Sequence, residues 1–299
     1  MSLLVTGTVA FDSVETPYDK RDDAIGGSAA FFAMSARFFN HVRLVGVVGK
    51  DFPEKQLADF RHVGIDTEGV EIADGKSFRW AGRYEADWNT RHTLDTQLNV
   101  LETFDPKVPE QYRDSKYVFL ANTAPAIQMK ALEQVTAREF VVADTMNLWI
   151  DIAKDDLHAL LKRIDGLVLN DEEARMLTGE THLLTAAHKV LELGPKFCVL
   201  KKGEHGAFLV SDGARFALPA YPVDRVVDPT GAGDSFAGGF MGYLAAVQNT
   251  HPATLRRAML YGTVTASFCV ESFSFDSLAK AGRSDIEARF NELHELITL

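Results

Sequence analysis

Short apolar runs alternate with stretches of helical spacing along most of this chain. LLVTGTVA, VRLVGVVG, KYVFLAN, FVVADT, GLVLN and FCVLKKG read as buried strands, most of them closing in a polar or glycine-containing turn. Between them SAAFFAMSARFF and the segments Gln128–Thr136, Asp155–Arg163 and His182–Leu193 carry apolar residues at helical intervals. Strand–helix alternation of this kind predicts an α/β fold with a mostly parallel sheet and helices on its faces. Ligands of such sheets bind beyond the carboxyl ends of the strands, so chemistry is sought in the loops after the apolar runs. Ser77–Leu101 breaks the pattern. It is rich in aromatics and Thr, alternates with polar residues and has a turn-like centre at Glu85–Thr90, which predicts an antiparallel hairpin: a lid, an oligomer contact or a plain extension of the sheet.

Composition narrows the function classes. The 299 residues could form one large domain or two medium ones. Lys and Arg number 31 against 42 Asp and Glu, a net charge of −11, which disfavours a protein built to grip a nucleic-acid backbone but leaves room for one local anion pocket. Cys198 and Cys269 sit in apolar runs and read as core residues of a reducing compartment. Met1–Ala10 reads as a strand rather than a secretory signal, and the uncharged stretches around Phe236–Val247 and Met259–Val270 fall short of the roughly 20 apolar residues that span a bilayer. A cytoplasmic protein with neither a nucleic-acid nor a membrane partner is expected.

The segment Asp228-Pro-Thr-Gly-Ala-Gly-Asp234 carries the strongest chemical signal. Phe236, Phe240 and Leu244 then follow at i, i+4 and i+8, so a helix begins near Asp234. Gly231, Ala232 and Gly233 therefore lie at a helix N-terminus, where free N–H groups and the dipole favour an anion. A carboxylate beside an anion site would repel its ligand, but makes sense as a general base that takes a proton from an attacking hydroxyl. The plainer reading makes Asp234 an N-cap; it leaves the glycines unexplained. Other motifs fail. Gly75-Lys76-Ser77 lacks the first glycine of a P-loop, since position 70 is Val70, and neither a dinucleotide fingerprint, a nucleophile elbow nor an H-E-x-x-H pair is present.

DPTGAGDSFAGGF resembles the signature of the ribokinase-like (PfkB) family of sugar and nucleoside kinases, and further elements follow in the family's order. Gly7–Asp12 is similar to its first strand and turn, Gly26-Gly27-Ser28-Ala29-Ala30 to its di-glycine loop, Val45–Asp51 to its third-strand pattern, Asn170-Asp171-Glu172-Glu173 to its N-x-x-E element, and Gly203–Gly206 to its nucleotide-side turn. The resemblance implies a three-layer α/β/α core (1–10, 24–72 and 101–299) with a small β lid (11–23 and 73–100). It implies ATP with Mg²⁺, and an alcohol acceptor such as a sugar's hydroxymethyl group. Asp234 would be the base over the Gly231–Gly233 anion hole. Asp12, Gly26, Gly27 and position 31 would meet the acceptor, and Asn170, Lys201, Gly203 and Gly206 the nucleotide. Glu173 would reach Mg²⁺ through water, and Asp228 stands where the family can hold K⁺. A homodimer through the lid is a further implication.

Bland alternatives stand beside these roles. Asn170 and Glu173 could simply start a helix, Gly203 and Gly206 form a hairpin turn, Asp12 cap a loop and Asp228 shape the turn before Pro229. One departure is informative. Where the family places a hydrogen-bonding Asn, this chain has Phe31, which offers an aromatic face to a nucleobase or packs into the core. Trp80, Trp88 and Tyr84 add stacking surface, with Phe78, Trp80, Gly82 and Tyr84 on one strand face. The expected activity is sugar phosphorylation, with nucleoside phosphorylation as the alternative within the chemistry. A catalytically idle sensor of nucleotides or metabolites is the alternative outside it.

Overall fold

Alternation within the apolar runs decides the architecture, because each run must bury both of its faces. In the computed structural model, which describes residues 2–298, these runs become the centre of a large sheet; Met1 and Leu299, the end points of the expected core, lie outside the described residues. The strands are β1 (Ser2–Thr6), β2 (Ala10–Glu15), β3 (Lys20–Gly26), β4 (His41–Gly49), β5 (Ile65–Ala73), β6 (Phe78–Tyr84) and β7 (Arg91–Gln97). After them come β8 (Tyr117–Leu120), β9 (Phe140–Asp144), β10 (Gly166–Asn170), β11 (Phe197–Lys201), β12 (Ala207–Ser211) and β13 (Ala214–Leu218). The helices are α1 (Ser28–Ala36), α2 (Glu54–His62), α3 (Pro125–Gln134), α4 (Asn147–Ile152), α5 (Lys154–Leu161) and α6 (Asp171–Thr178). They continue with α7 (Leu183–Glu192), α8 (Ala232–Val247), α9 (Pro252–Val270), α10 (Asp276–Lys280) and α11 (Arg283–Ile297).

The large sheet has the order β13-β12-β11-β10-β9-β8-β1-β4-β5, parallel from β5 through β11 and closed by the antiparallel β12 and β13. Phe119, Val142, Val168 and Val199 face one layer, with Phe236 and Phe240 of α8 and Leu255 and Val264 of α9. Their strand neighbours Leu120, Val141, Leu167 and Leu200 face the other layer, with Leu132, Leu157, Leu177 and Val190 from the helices α3, α5, α6 and α7. Both faces are covered, as a parallel sheet requires. Both cysteines are free and buried in these layers, as their apolar context predicts.

LLVTGTVA does not run as one strand. β1 stops at Thr6, and β2 starts a second sheet of order β3-β2-β6-β7. The hairpin expected in Ser77–Leu101 is present as β6 and β7, paired antiparallel around Glu85–Thr90, while β6 runs parallel to β2. Its base is tied to the core by polar contacts. Ser77 donates from both its N–H and its hydroxyl to Asp51 at 2.7 Å. Arg79 bridges Asp51 and Asp23 while lying 4.4 Å over the Phe11 ring. Trp80 lies across Gly82, where a Cβ would come within 2.1 Å of its ring, so these two residues do share a face.

α8 is wedged between α1 and α9 because glycine lets backbone meet backbone. A Cβ at Gly238 would lie 2.3 Å from the Phe32 carbonyl oxygen, an atom with no rotamer to yield. Gly238→Ala should therefore force α1 and α8 apart and cost about 1–3 kcal/mol of stability, measured by urea unfolding. A loss below about 0.5 kcal/mol would show that the helices can separate freely.

Candidate active site

Neighbouring strands of a parallel sheet end side by side, so the residues at their carboxyl ends form one polar rim. Here β9, β10 and β11 end at Asp144, Asn170 and Lys201, and the N-terminus of α8 faces them. Gly231 caps α8 at φ 76°, a left-handed conformation that glycine adopts without strain, and Asp234 falls within the first turn. Asp234 is therefore not the N-cap. The expected helix start near Asp234 moves to Ala232, whose N–H donates to the Pro229 carbonyl at 3.2 Å, so that the open donors of this end lie at Gly231 and Gly233.

Phe31 floors this loop. A Cβ on Gly231 would come within 2.3 Å of the Phe31 ring, and that ring packs edge-on against Phe275 at 5.7 Å. Phe31 is 2% exposed, with all of α1 buried around it. This corrects the expectation that Phe31 offers an aromatic face to an acceptor. α1 turns the ring under the anion loop, and its shape is used for packing.

Asp12 on β2 is enclosed by the di-glycine turn. Gly27 donates its N–H to Asp12 Oδ2 at 3.3 Å, and a Cβ at Gly26 would lie 1.9 Å from the same oxygen. Burial pushes Asp12 up to about 7, with Asp228 adding to it and the Gly27 N–H opposing. Asp228 accepts from the Thr230 N–H at 2.8 Å and is pushed up to about 6 by burial, so it does shape the turn before the glycines.

Asn170 and Glu173 form a reciprocal capping box: Glu173 N–H donates to Asn170 Oδ1, and Asn170 N–H donates to Glu173 Oε2, both at 2.7 Å. The plain helix-start reading is thus correct for these two residues, but it does not exhaust Glu173. Its side chain is buried and pushed up to about 7, first by burial and then by the charge of Asp144. Gly203–Gly206 likewise forms the turn between β11 and β12, with Lys202 N–H donating to the Gly206 carbonyl at 2.8 Å.

Asp144, Arg91 and Asn89 were not singled out in the sequence, and they join residues that were. Asp144 is buried and 3.4 Å from Lys201 Nζ. Asp234 is pushed up to about 8 by burial, next by Asp144, with Lys201 opposing. The small sheet adds more. Tyr84 meets the Thr230 hydroxyl at 3.3 Å, and Arg91, its cross-strand partner, offsets part of the upward push on Glu173. Asn89, at the hairpin tip, lies against Gly203. Trp88 instead packs on Tyr18 at 5.8 Å, and Trp80 donates to Thr93 at 3.3 Å. Among the described residues no cluster of three or more His, Cys, Asp or Glu is arranged to hold a metal by itself, and no helix is long and apolar enough to cross a membrane.

Residues 21–280 match the profile described as the pfkB family carbohydrate kinase. The chain belongs to this family. The kinase is 32% identical over 247 residues to a cytidine kinase of Thermococcus kodakarensis, covering 81% of this chain and 87% of that one. It is 26% identical over 295 residues to a nucleoside kinase of Methanothermobacter thermautotrophicus, covering 90% and 89%. Its fold is that of the Burkholderia thailandensis nucleoside kinase solved with inosine, with a TM-score of 0.78 at 19% identity over 98% of this chain and 99% of that one. The sugar and nucleoside kinases that share its family and its fold place this kinase in the carbohydrate or nucleoside class.

The buried acids of the site make stability depend on pH with a defined sign. Asp12, Glu173 and Asp234 bind protons more tightly in the folded chain, at about 7, 7 and 8, than at their ordinary values of 3.8 to 4.5. Their contribution to stability is therefore full below about pH 4 and is lost as pH rises through about 7–8. Without ligands, the melting temperature of wild type should fall between about pH 5 and about pH 8 more than that of Asp234→Asn, and the variant should melt higher at the upper pH. Equal melting curves at the upper pH would mean that Asp234 ionises without penalty in the folded site.

Proposed function

We propose that this kinase transfers the γ-phosphoryl group of ATP to a hydroxymethyl group of a sugar or sugar-containing small molecule, with Asp234 as general base. The observation that carries this reading is the placement of a buried carboxyl, raised to about 8, in the first turn of a helix whose N-terminal backbone is left bare by Gly231 and Gly233. The acceptor hydroxyl, held by Asp12 and the Gly26–Gly27 turn, would give its proton to Asp234. Its oxygen would then bond to the γ-phosphorus as the bond to the β–γ bridging oxygen breaks, releasing ADP. The N–H groups of Gly231 and Gly233 would stabilise charge on the phosphoryl oxygens, that of Ala232 being held by the Pro229 carbonyl. Asn170, Lys201 and the Gly203–Gly206 turn would meet the nucleotide, and Arg91 would bring a second cation to the phosphates.

Glu173 fits a role on the metal side. One oxygen is committed to the Asn170 N–H, and the other is a hard donor in a buried position, suited to a water of Mg²⁺. Mg²⁺ arriving with ATP would neutralise charge on the phosphate oxygens. Asp228 would support a K⁺ site beside the loop. The small sheet would act as the lid, and β7, exposed along its length, supports pairing of two copies through their lids. The composition supports a cytoplasmic protein.

A nucleoside is the second acceptor reading. The cytidine kinase at 32% identity over most of both chains favours it, whereas Phe31 does not.

Turnover across a panel of pentoses, hexoses and nucleosides tests the reading directly, and an absence of ATP consumption with all of them would defeat it. Asp234→Asn should lower kcat by about 10²-fold or more while leaving nucleotide affinity nearly intact. With an active acceptor in hand, kcat/KM should rise with pH through an acidic limb near pH 7–8, where the site's acids titrate, and not near 4. Glu173→Gln should raise the Mg²⁺ concentration required, and an unchanged requirement would move the metal's partner elsewhere.

A further inference from the structure

Asp144 is a buried acid to which the reaction outlined above gives no task. It closes β9, two strands from β11, and its Oδ2 accepts from Lys201 Nζ at 3.4 Å. Both side chains are largely withdrawn from water, Lys201 at 17% exposure and Asp144 at 6%. On its other side the ammonium lies against the first turn of α8, since a Cβ on Gly233 would sit 2.8 Å from Nζ. A cation at a helix N-terminus faces the positive end of the dipole, and a buried ammonium without a partner is strongly destabilising. Something must hold it there.

Three acids surround this ammonium, Asp144 from β9, Glu173 from α6 and Asp234 from α8, and Arg91 from β7 acts on Glu173. Burial works to strip the Lys201 proton, and Asp144, Glu173 and Asp234 together outweigh it. The three are not equivalent. Glu173 is engaged by the capping box, and Asp234 changes charge in each turnover. Among the described residues Asp144 is the carboxylate within ion-pair distance of Lys201. It stays free of both other duties.

We propose that Asp144 is a positioning residue that holds the Lys201 ammonium beneath Gly233, where it meets the phosphates of the nucleotide. The inference rests on the kinase reading above and assigns Asp144 no contact with substrate. Its consequence is directional: losing Asp144 should damage the nucleotide side of the site and spare the acceptor side.

Wild type, Asp144→Asn, Lys201→Met and the double variant decide the matter, each titrated with ADP and Mg²⁺ by calorimetry and assayed for KM. Asp144→Asn should weaken ADP roughly tenfold and raise the KM for ATP by a similar factor, with the acceptor KM unchanged. Lys201→Met should weaken ADP at least as much, and adding Asp144→Asn to it should cost no more than about twofold further. Additive losses, or unaltered ADP binding in Asp144→Asn, would overturn the assignment. So would a raised Mg²⁺ requirement in Asp144→Asn that persists in the Lys201→Met background, because Asp144 would then serve the metal. Should Asp144→Asn fold poorly, melting follows the same logic: the double variant, relieved of its unpaired ammonium, should melt above Asp144→Asn. A double variant melting at or below it overturns the pairing. ADP titration and melting need no acceptor, so a failure here is separable from a failure of the wild type to phosphorylate any sugar or nucleoside.

Discussion

The constraint on which this structure turns is the crowding of acids at one end of a sheet. Asp12, Asp144, Glu173, Asp228 and Asp234 are all raised above their ordinary values by burial, and Lys201 is the cation set among them. A chain selected for stability alone would not assemble such a rim, because each carboxyl loses hydration and repels its neighbours. The rim is short of positive charge, and burial meets that deficit by holding protons on its acids.

Holding that arrangement falls to the apolar layers. The strand ends are fixed by a sheet buried on both faces, and α8 is fixed by its glycine-mediated approach to α1. Phe31 belongs to this support. A small polar side chain in its place would leave a gap under Gly231, and the loop could then sag away from the phosphates. The ring instead sets the height of the backbone that must meet the anion, which is a function of its bulk and not of its π-face.

Local chemistry was legible in the sequence where neighbours in space are also neighbours in the chain. The glycine loop and the β6–β7 hairpin each lie within one short segment, where spacing locates them, and the equally local Asn170–Glu173 pair is located by the family resemblance. Asp144 and Lys201 are 57 positions apart. In a parallel sheet each strand belongs to its own βα unit, so a pair brought together across β10 leaves no mark in either local pattern: FVVADT reads as a strand and nothing more. Phe31 stays open between ligand and core in the sequence for a related reason. An aromatic following a glycine turn looks the same whether its helix presents it to a ligand or to a core, and the choice depends on Phe275, far along the chain. Glu173 shows the converse: its capping box accounts for the motif by itself, and the burial that raises its carboxyl is visible only in the structure.

The small sheet completes the argument about water. Phosphoryl transfer to a sugar competes with transfer to solvent, so the site must be closed when the reactants are aligned. The contacts of the small sheet are graded along its length. At its base Ser77, Asp51, Arg79 and Asp23 make short polar links to one another, whereas towards the tip Tyr84 meets Thr230 at 3.3 Å and Asn89 lies against Gly203. Anchorage that is firm at one end and light at the other would suit the lid role proposed for the small sheet. The light contacts fall on the loop that precedes the anion hole and on the turn assigned to the nucleotide. On the kinase reading proposed above, the small sheet would bring Tyr84 and Arg91 to the phosphates in the same arrangement that excludes water.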